Sequence, residues 1–174
     1  MFPAARFIGC HLEMFSETTG ERSVWRYGSD FAVENEEIVE IPGGEVSFVH
    51  ELNSNPFHWY NSQTSCVILH REVVQKVGGF DEDIAYCDEL EFFCRIMRHF
   101  PITMMKKSLV IYREHDKNHS LEKENVEKNL LKMADMMLKE PDKYPPNAGN
   151  FWRKILLENF LRKGSRLAGE LKNG

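Results

Sequence analysis

Cysteine is scarce in this chain, and what there is lies scattered. Cys10, Cys66, Cys87 and Cys94 form neither a Cys-x-x-Cys pair nor a dense framework, which argues against a disulfide scaffold and predicts reduced thiols in a cytoplasmic protein. Long apolar runs are missing as well. No stretch approaches the roughly 20 residues that a membrane span requires, and the opening MFPAARFIGC has no apolar segment of the length a signal peptide needs. Positive charge is in deficit, with a net charge of −5. Without a basic face or an aromatic-basic stacking pattern, a nucleic-acid partner is not expected. Neither internal repeats nor low-complexity segments occur.

The remaining composition is that of one soluble globular domain: 174 residues, 42% hydrophobic and 28% charged, enough to bury a core. The charge is distributed unevenly. Between Phe151 and Gly174 six Lys/Arg (Arg153, Lys154, Arg162, Lys163, Arg166, Lys172) face two Glu (Glu158, Glu170), so this tail carries +4 and the rest −9. The tail reads as a basic amphipathic element.

Hydrophobic periodicity predicts an α/β chain. ARFIGCHLEMF reads as a strand, and a turn at Thr19-Gly20 leads into a second strand through SVWRY, giving a hairpin. Pro42-Gly43-Gly44 separates two β-branched runs in EIVEIPGGEVSFV and predicts another hairpin or an edge ribbon. SNPFHWYN is a loop. TSCVILH reads as a strand, followed by a short helix in REVVQKV with Val73, Val74 and Val77 on one face and Gly78 as its cap. A helix is predicted from about Asp88 to His99, its buried stripe formed by Leu90, Phe93 and Met97 with Phe92 and Ile96 beside it. ITMMKKSLVIYRE gives two strand candidates around Lys106-Lys107. A long helix follows Ser120, a candidate N-cap, with Val126, Leu130, Met133 and Met137 at helical spacing. EPDKYPPNAGN interrupts it, and FWRKILLENFLRKGSRLAGEL resumes a helix.

The segment from Gly78 to Ile96, GGFDEDIAYCDELEFFCRI, holds the densest chemistry, because it opens an amphipathic helix with adjacent acids, Asp88 and Glu89. Such acids can simply complement the helix dipole, for about 0.3–1 kcal/mol each. Their company points further. GGFDED lies upstream, Glu91 and Arg95 stand at i and i+4 on the same helix, and YREH follows downstream, ending with His115 after a strand.

In this order the segment resembles the second half of a family 2 glycosyltransferase domain of the GT-A type. There a GGFDE turn precedes an acid pair and a hydrophobic helix with an Arg, and a later strand ends in Tyr-Arg-x-His. These features fall on Gly78 to Glu82, on Asp88-Glu89, on Leu90 to Arg95, and on Tyr112, Arg113 and His115. The resemblance spans roughly Ala4 to Ser120 and is most specific between Thr64 and His115. One departure stands out: the pair usually runs Glu then Asp, whereas here it is Asp88 then Glu89, which moves the second carboxylate out by about one methylene.

The resemblance implies a partial GT-A, Rossmann-like mixed sheet with flanking helices over residues 1–120, and a helical C-terminal extension over 121–174. It implies transfer of a sugar from a nucleotide-sugar donor to a hydroxyl acceptor by single displacement with inversion. Glu89 is then the general base, with Asp88 as its orienting partner or substitute. Asp81, Arg95 and Arg113 are expected to bind the acceptor, and His115 to ligate a divalent metal, Mn or Mg, in the complete domain. The family's donor-binding βαβ half and its Asp-x-Asp metal motif have no counterpart here, since Asp81-Glu82-Asp83 belongs to the GGFDE turn. The chain therefore looks like the C-terminal half of such a domain. The Gln-x-x-Arg-Trp motif of processive members is also missing, which implies single-sugar addition.

An alternative from a different class is a non-catalytic binding or assembly module that keeps the transferase scaffold, and self-association stays open. For the tail, two readings stand: packing on the domain, or peripheral membrane contact with Trp152, Ile155, Leu156 and Phe160 facing acyl chains. Trp59 and Tyr60 either stack on a sugar or cap the core. Met133, Met136 and Met137 read as core filler. Cys87 lies between no basic neighbours and beside two acids, which should raise its pKa and keep it unreactive. His119 reads as a surface residue.

Overall fold

The computed structural model describes residues 5–25, 36–42, 44–49, 63–118, 123–146, 148–154 and 156–158. These build a mixed α/β fold around one sheet. Strand β1 (Phe7–Ser16) turns at Gly20, whose φ of 73° suits a residue without Cβ, and returns as β2 (Arg22–Trp25). The expected second hairpin is β3 (Glu36–Ile41) and β4 (Gly44–Val49), paired antiparallel. After a 3-10 turn at Thr64–Cys66 come β5 (Val67–Leu69), α1 (Arg71–Val77), α2 (Asp88–Met97), β6 (Ile102–Glu114) and α3 (Lys123–Lys139). The loop SNPFHWYN, with Trp59 and Tyr60, lies outside the described residues, as do Ser120 and His119.

The sheet runs β2-β1-β6-β4-β3, with β5 on the β1 edge. Its pairings are antiparallel except for β1 and β6, which run parallel. A parallel pair needs a crossover, and here the crossover contains α1 and α2.

The sequence around Lys106-Lys107 does not divide two strands, as expected, but lies within the single strand β6. The register against β1 steps from Cys10↔Met105 to His11↔Ser108 and then to Leu12↔Val110, so Lys106, Lys107 and Leu109 fall outside it as bulges. A bulge absorbs polar residues that would otherwise disturb the in-out alternation, and the strand continues.

Helix α1 starts at His70, whose Nδ1 accepts the Glu72 N–H at 3.3 Å, and ends at Gly78 with φ 82°. The glycine cap is as expected, because an L-residue at that φ is strained. Of the three valines, Val73 is buried and Val77 half-buried, but Val74 is exposed. Positions four apart share a helix face, and Val74 sits a hundred degrees round from Val73.

The apolar stripe of α2 is buried throughout: Leu90, Phe92, Phe93, Ile96 and Met97. Phe93 meets Phe7 of β1 edge to face, with ring centroids 5.2 Å apart, and Ile102 and Met104 of β6 join the same cluster. Leu130, Met133 and Met137 of α3 are buried there too, and Val126 packs against them. So do Tyr144, Ala148 and Trp152, which follow α3. Residues beyond 121 thus contribute to one shared core. Trp152, for which packing on the domain and membrane contact were both open, is 1% exposed, and Leu156 packs against the same cluster. Its large ring gains more from a protein core than a surface position offers. Among the described residues no helix is long and apolar enough to cross a membrane.

Candidate active site at the start of helix α2

The loop between α1 and α2 is fixed at several points before it delivers the acid pair. Asp81 Oδ1 accepts the Asp83 N–H at 2.9 Å, and the Asp81 carbonyl accepts the Ile84 N–H at 3.1 Å. This closes an Asx turn, and Ile84 is buried as its anchor. Helix α3 then holds the far side. Asn129 Oδ1 accepts the Ala85 N–H at 3.1 Å, Lys132 Nζ donates to the Asp83 carbonyl at 2.5 Å, and Asn125 Nδ2 donates to the Tyr86 hydroxyl at 3.4 Å. Sequence inspection gives no hint of this clamp, because α3 lies far along the chain.

Cys87, at the helix entry, has φ 59° and ψ 28°, and is the one non-glycine residue with positive φ among those described. That conformation costs an L-residue roughly 1–2 kcal/mol, and it persists where the surroundings fix it. It turns the chain so that Asp88 and Glu89 open α2 half-buried.

A carboxylate in the first turn of a helix normally gains from the dipole. Burial overrides this at Glu89, whose carboxyl is pushed up to about 7. Loss of solvent is the main cause. A hydrogen bond from its own backbone N–H opposes the shift, and the hydrogen bond and negative charge of neighbouring Asp88 add to it. The Cys87 thiol is pushed up to about 12, by burial first and then by Glu89 and Asp88. It is therefore a poor nucleophile at neutral pH.

Arg95, expected to contact an acceptor, is instead committed to the fold. Its Nε and Nη2 donate to the two oxygens of Glu91 at 2.6 and 2.8 Å, its Nη1 to the Val77 carbonyl at 2.5 Å, and its Nη2 also to the Gly79 carbonyl at 2.7 Å. The guanidinium carbon lies 5.3 Å from the centre of the Phe92 ring. Four of five donors are thereby used, and the planar fork ties the glycine turn to α2. Burial alone would lower the guanidinium pKa, but the hydrogen bonds and charge of Glu91 outweigh it and the net direction is upward. Asp81, half-buried in its turn, adds a further negative charge near Arg95.

Arg113 and His115 stand at the other end of the constellation, on the last residues of β6 and just past it. Arg113 is exposed and pairs with Glu17 at 3.0 Å. Among the described residues, neither Arg113 nor His115 hydrogen-bonds or ion-pairs with Asp88 or Glu89.

His115 sits in a tight turn where its N–H donates to Asn118 Oδ1 at 3.2 Å and its Nδ1 accepts the Lys117 N–H at 3.1 Å. A neutral imidazole that accepts at Nδ1 carries its proton on Nε2. A metal-ligating histidine has the reverse pattern, with one nitrogen bare toward the metal and the other donating. No group of three or more His, Cys, Asp or Glu suited to a metal occurs among the described residues. His115 Nδ1 is thus engaged by a backbone N–H, and the divalent ion was expected only in the complete domain.

The structure sets Asp88 and Glu89 side by side at the head of α2, with Asp81 in the preceding turn and Arg95 further along α2, bonded to the glycine end of that turn. Scans of protein-family models, curated proteins and solved structures found no match to this chain.

Proposed function

We propose that the chain is the acceptor side of a GT-A glycosyltransferase domain of family 2, which transfers a sugar from a nucleotide donor to a hydroxyl. The observation that carries this reading is Glu89, a half-buried carboxyl beside Asp88 at the head of α2, whose pKa is raised by that burial. The order of the GGFDE turn, the acid pair and the YREH strand end supports it. So does the crossover from β1 to the parallel strand β6, which passes through α2.

At pH 7 a carboxyl of this pKa is about half ionised and is a stronger base than an ordinary glutamate. An acceptor hydroxyl gives its proton to the Glu89 carboxylate while its oxygen attacks the anomeric carbon. The bond from that carbon to the diphosphate oxygen breaks on the opposite face, and the leaving nucleoside diphosphate takes the electron pair. The anomeric centre inverts. Glu89 then returns the proton to water; its pKa is held high by burial first, with neighbouring Asp88 adding to it. One sugar is added per encounter. In the complete domain a divalent metal would neutralise charge developing on the departing diphosphate.

Titration of the purified chain with a panel of hydroxyl acceptors tests the acceptor side directly, and transfer from nucleotide sugars is assayed with the donor-binding half supplied. Glu89→Gln is expected to lower turnover by about 10²–10⁴-fold with thermal stability retained. Unchanged turnover would remove Glu89 as the base.

A binding or assembly role is favoured by one observation. Val24, Leu109 and Ile111 are large apolar side chains that stand more than half exposed on the sheet, with Val24 and Ile111 flanking Glu13 in register. Sedimentation that shows self-association in the wild type, abolished by Ile111→Glu, would support that reading. A monomer at all concentrations would count against self-assembly.

A further inference from the structure

Three polar side chains of α3 form a stripe beside its buried seam. Asn125, Asn129 and Lys132 stand at i, i+4 and i+7, so they share one side of the helix, next to the buried Leu130 and Met133. Each reaches the loop that precedes α2: Asn125 the Tyr86 hydroxyl, Asn129 the Ala85 N–H and Lys132 the Asp83 carbonyl. The Asn129 amide is used at both ends, since its Nδ2 donates to the Asn125 carbonyl at 2.9 Å while its Oδ1 accepts from Ala85. Turned over, it would set a donor against the Ala85 N–H and an acceptor against a carbonyl, so this orientation is fixed.

These contacts fall on the residues immediately before the acid pair. Ala85 and Tyr86 run directly into Cys87 with its positive φ, and Asp88 and Glu89 follow. An L-residue keeps that conformation where contacts on both sides hold it. On the helix side, the Cys87 carbonyl accepts the Leu90 N–H at 3.1 Å. On the loop side, the Asp81 turn ends at Ile84, and the bonds to Asp83, Ala85 and Tyr86 come from α3.

From this arrangement we infer that Asn129 and Lys132 are positioning residues for Asp88 and Glu89, so that α3, which lies past the span of the sequence resemblance, completes the site. The inference rests on the reading of Glu89 as the base and adds the residues that set where that base stands. Both act through the backbone of residues 83–87 and not on the reacting atoms. Release of their bonds frees Cys87 to return to an ordinary φ, and the first turn of α2 then gives its carboxylates back to solvent.

An NMR titration of the Glu89 carboxyl in the full chain, with its resonance assigned by its loss in Glu89→Gln, tests this without donor or acceptor. The titratable groups next to it are Asp88 and the Cys87 thiol, which is itself pushed up to about 12 and stays neutral. Asn129→Leu and Lys132→Met each remove a bond to the loop. Each is expected to lower the Glu89 pKa from about 7 toward 4.5, by about one unit or more, as the carboxyl regains solvent. Loss of the Lys132 cation by itself would raise that pKa, so a fall reads position and not charge. Ile102→Ala, a core truncation in β6, is expected to lower Tm without moving the titration, which separates positioning from plain loss of stability.

Lys132 is exposed, so Lys132→Met keeps the fold whatever Asn129→Leu does. An unchanged Glu89 titration in Lys132→Met, or in folded Asn129→Leu, overturns the inference. The two readings fail separately: a shifted titration with no acceptor binding by the wild type sinks only the transferase, and acceptor binding with an unchanged titration in the variants sinks only the positioning role.

Discussion

The phenol of Tyr144 donates a hydrogen bond to Glu91 Oε1 at 2.7 Å across 53 residues of sequence, and both groups are buried. Burial, followed by the hydrogen bond to Glu91, pushes the Tyr144 pKa upward, so the phenol stays a donor. Glu91 receives this bond together with the Arg95 fork. The segment after α3 is thereby joined to the helix that carries Glu89. Tyr144→Phe leaves the packing and deletes one bond to a charged acceptor, which is expected to cost about 1.5–3 kcal/mol. Urea unfolding of the two proteins, compared at equal m-value, measures it.

Arg95 and Glu91 form a pair with side chains 12% and 1% exposed. Removing one partner strands the other's charge in the core. Arg95→Met is expected to destabilise by about 3–5 kcal/mol, and the double variant Arg95→Met/Glu91→Leu by clearly less, because an apolar pair has no charge to desolvate. A denaturation cycle over the four proteins reads the difference. Arg95→Lys is expected to fall near Arg95→Met, since an ammonium reproduces neither the fork nor both carbonyl contacts.

Glu89 makes stability depend on pH in a direction opposite to that of a salt-bridged acid. Its pKa rises from 4.5 to about 7 on folding, so between these values the native state binds more protons than the unfolded chain. Stability then falls as pH rises through that window, at up to about 1.4 kcal/mol per pH unit and about 3 kcal/mol in total, and levels off above it. Glu89→Gln should remove this slope and be the more stable protein above pH 7. Thermal unfolding of both proteins from pH 4 to about 8 would show the two curves diverging, and parallel curves would refute the shift.

Gly149 lies in the helical residues after Tyr144, against α3. A Cβ there would stand 2.8 Å from Leu138 Cγ and 2.9 Å from the Leu138 backbone nitrogen. Alanine in place of glycine usually gains up to about 1 kcal/mol in a helix. Here the backbone contact cannot yield without moving α3, so Gly149→Ala is expected to lose about 1–3 kcal/mol, seen as a lower Tm. A rise in Tm would mean that the two helices do not pack this closely.

Much of the local structure was legible because it depends on near neighbours. The turn at Gly20 and the Pro42-Gly43-Gly44 signal mark hairpins by backbone freedom, and the spacing of Leu90, Phe93 and Met97 shows which side of α2 is buried. Gly78 as a cap follows from a glycine placed directly after the apolar run of α1, and its φ of 82° agrees. The i, i+4 spacing of Glu91 and Arg95 also marked that pair, but not what it holds. The α3 clamp on the loop through Asn129 and Lys132 left no trace in the sequence, since a polar helix position looks the same whether it meets solvent or a distant carbonyl.

The sequence alone determined that this is an α/β chain with adjacent carboxylates opening an amphipathic helix, because helix period, turn residues and side-chain chemistry are written position by position. Only the tertiary structure decided what those groups are free to do. It buried Glu89 and so raised its pKa, turned Arg95 inward, placed Trp152 in the core and engaged His115 Nδ1 with a backbone N–H. Desolvation and donor satisfaction belong to the assembled surroundings of a side chain, and those surroundings come from segments far apart in the chain.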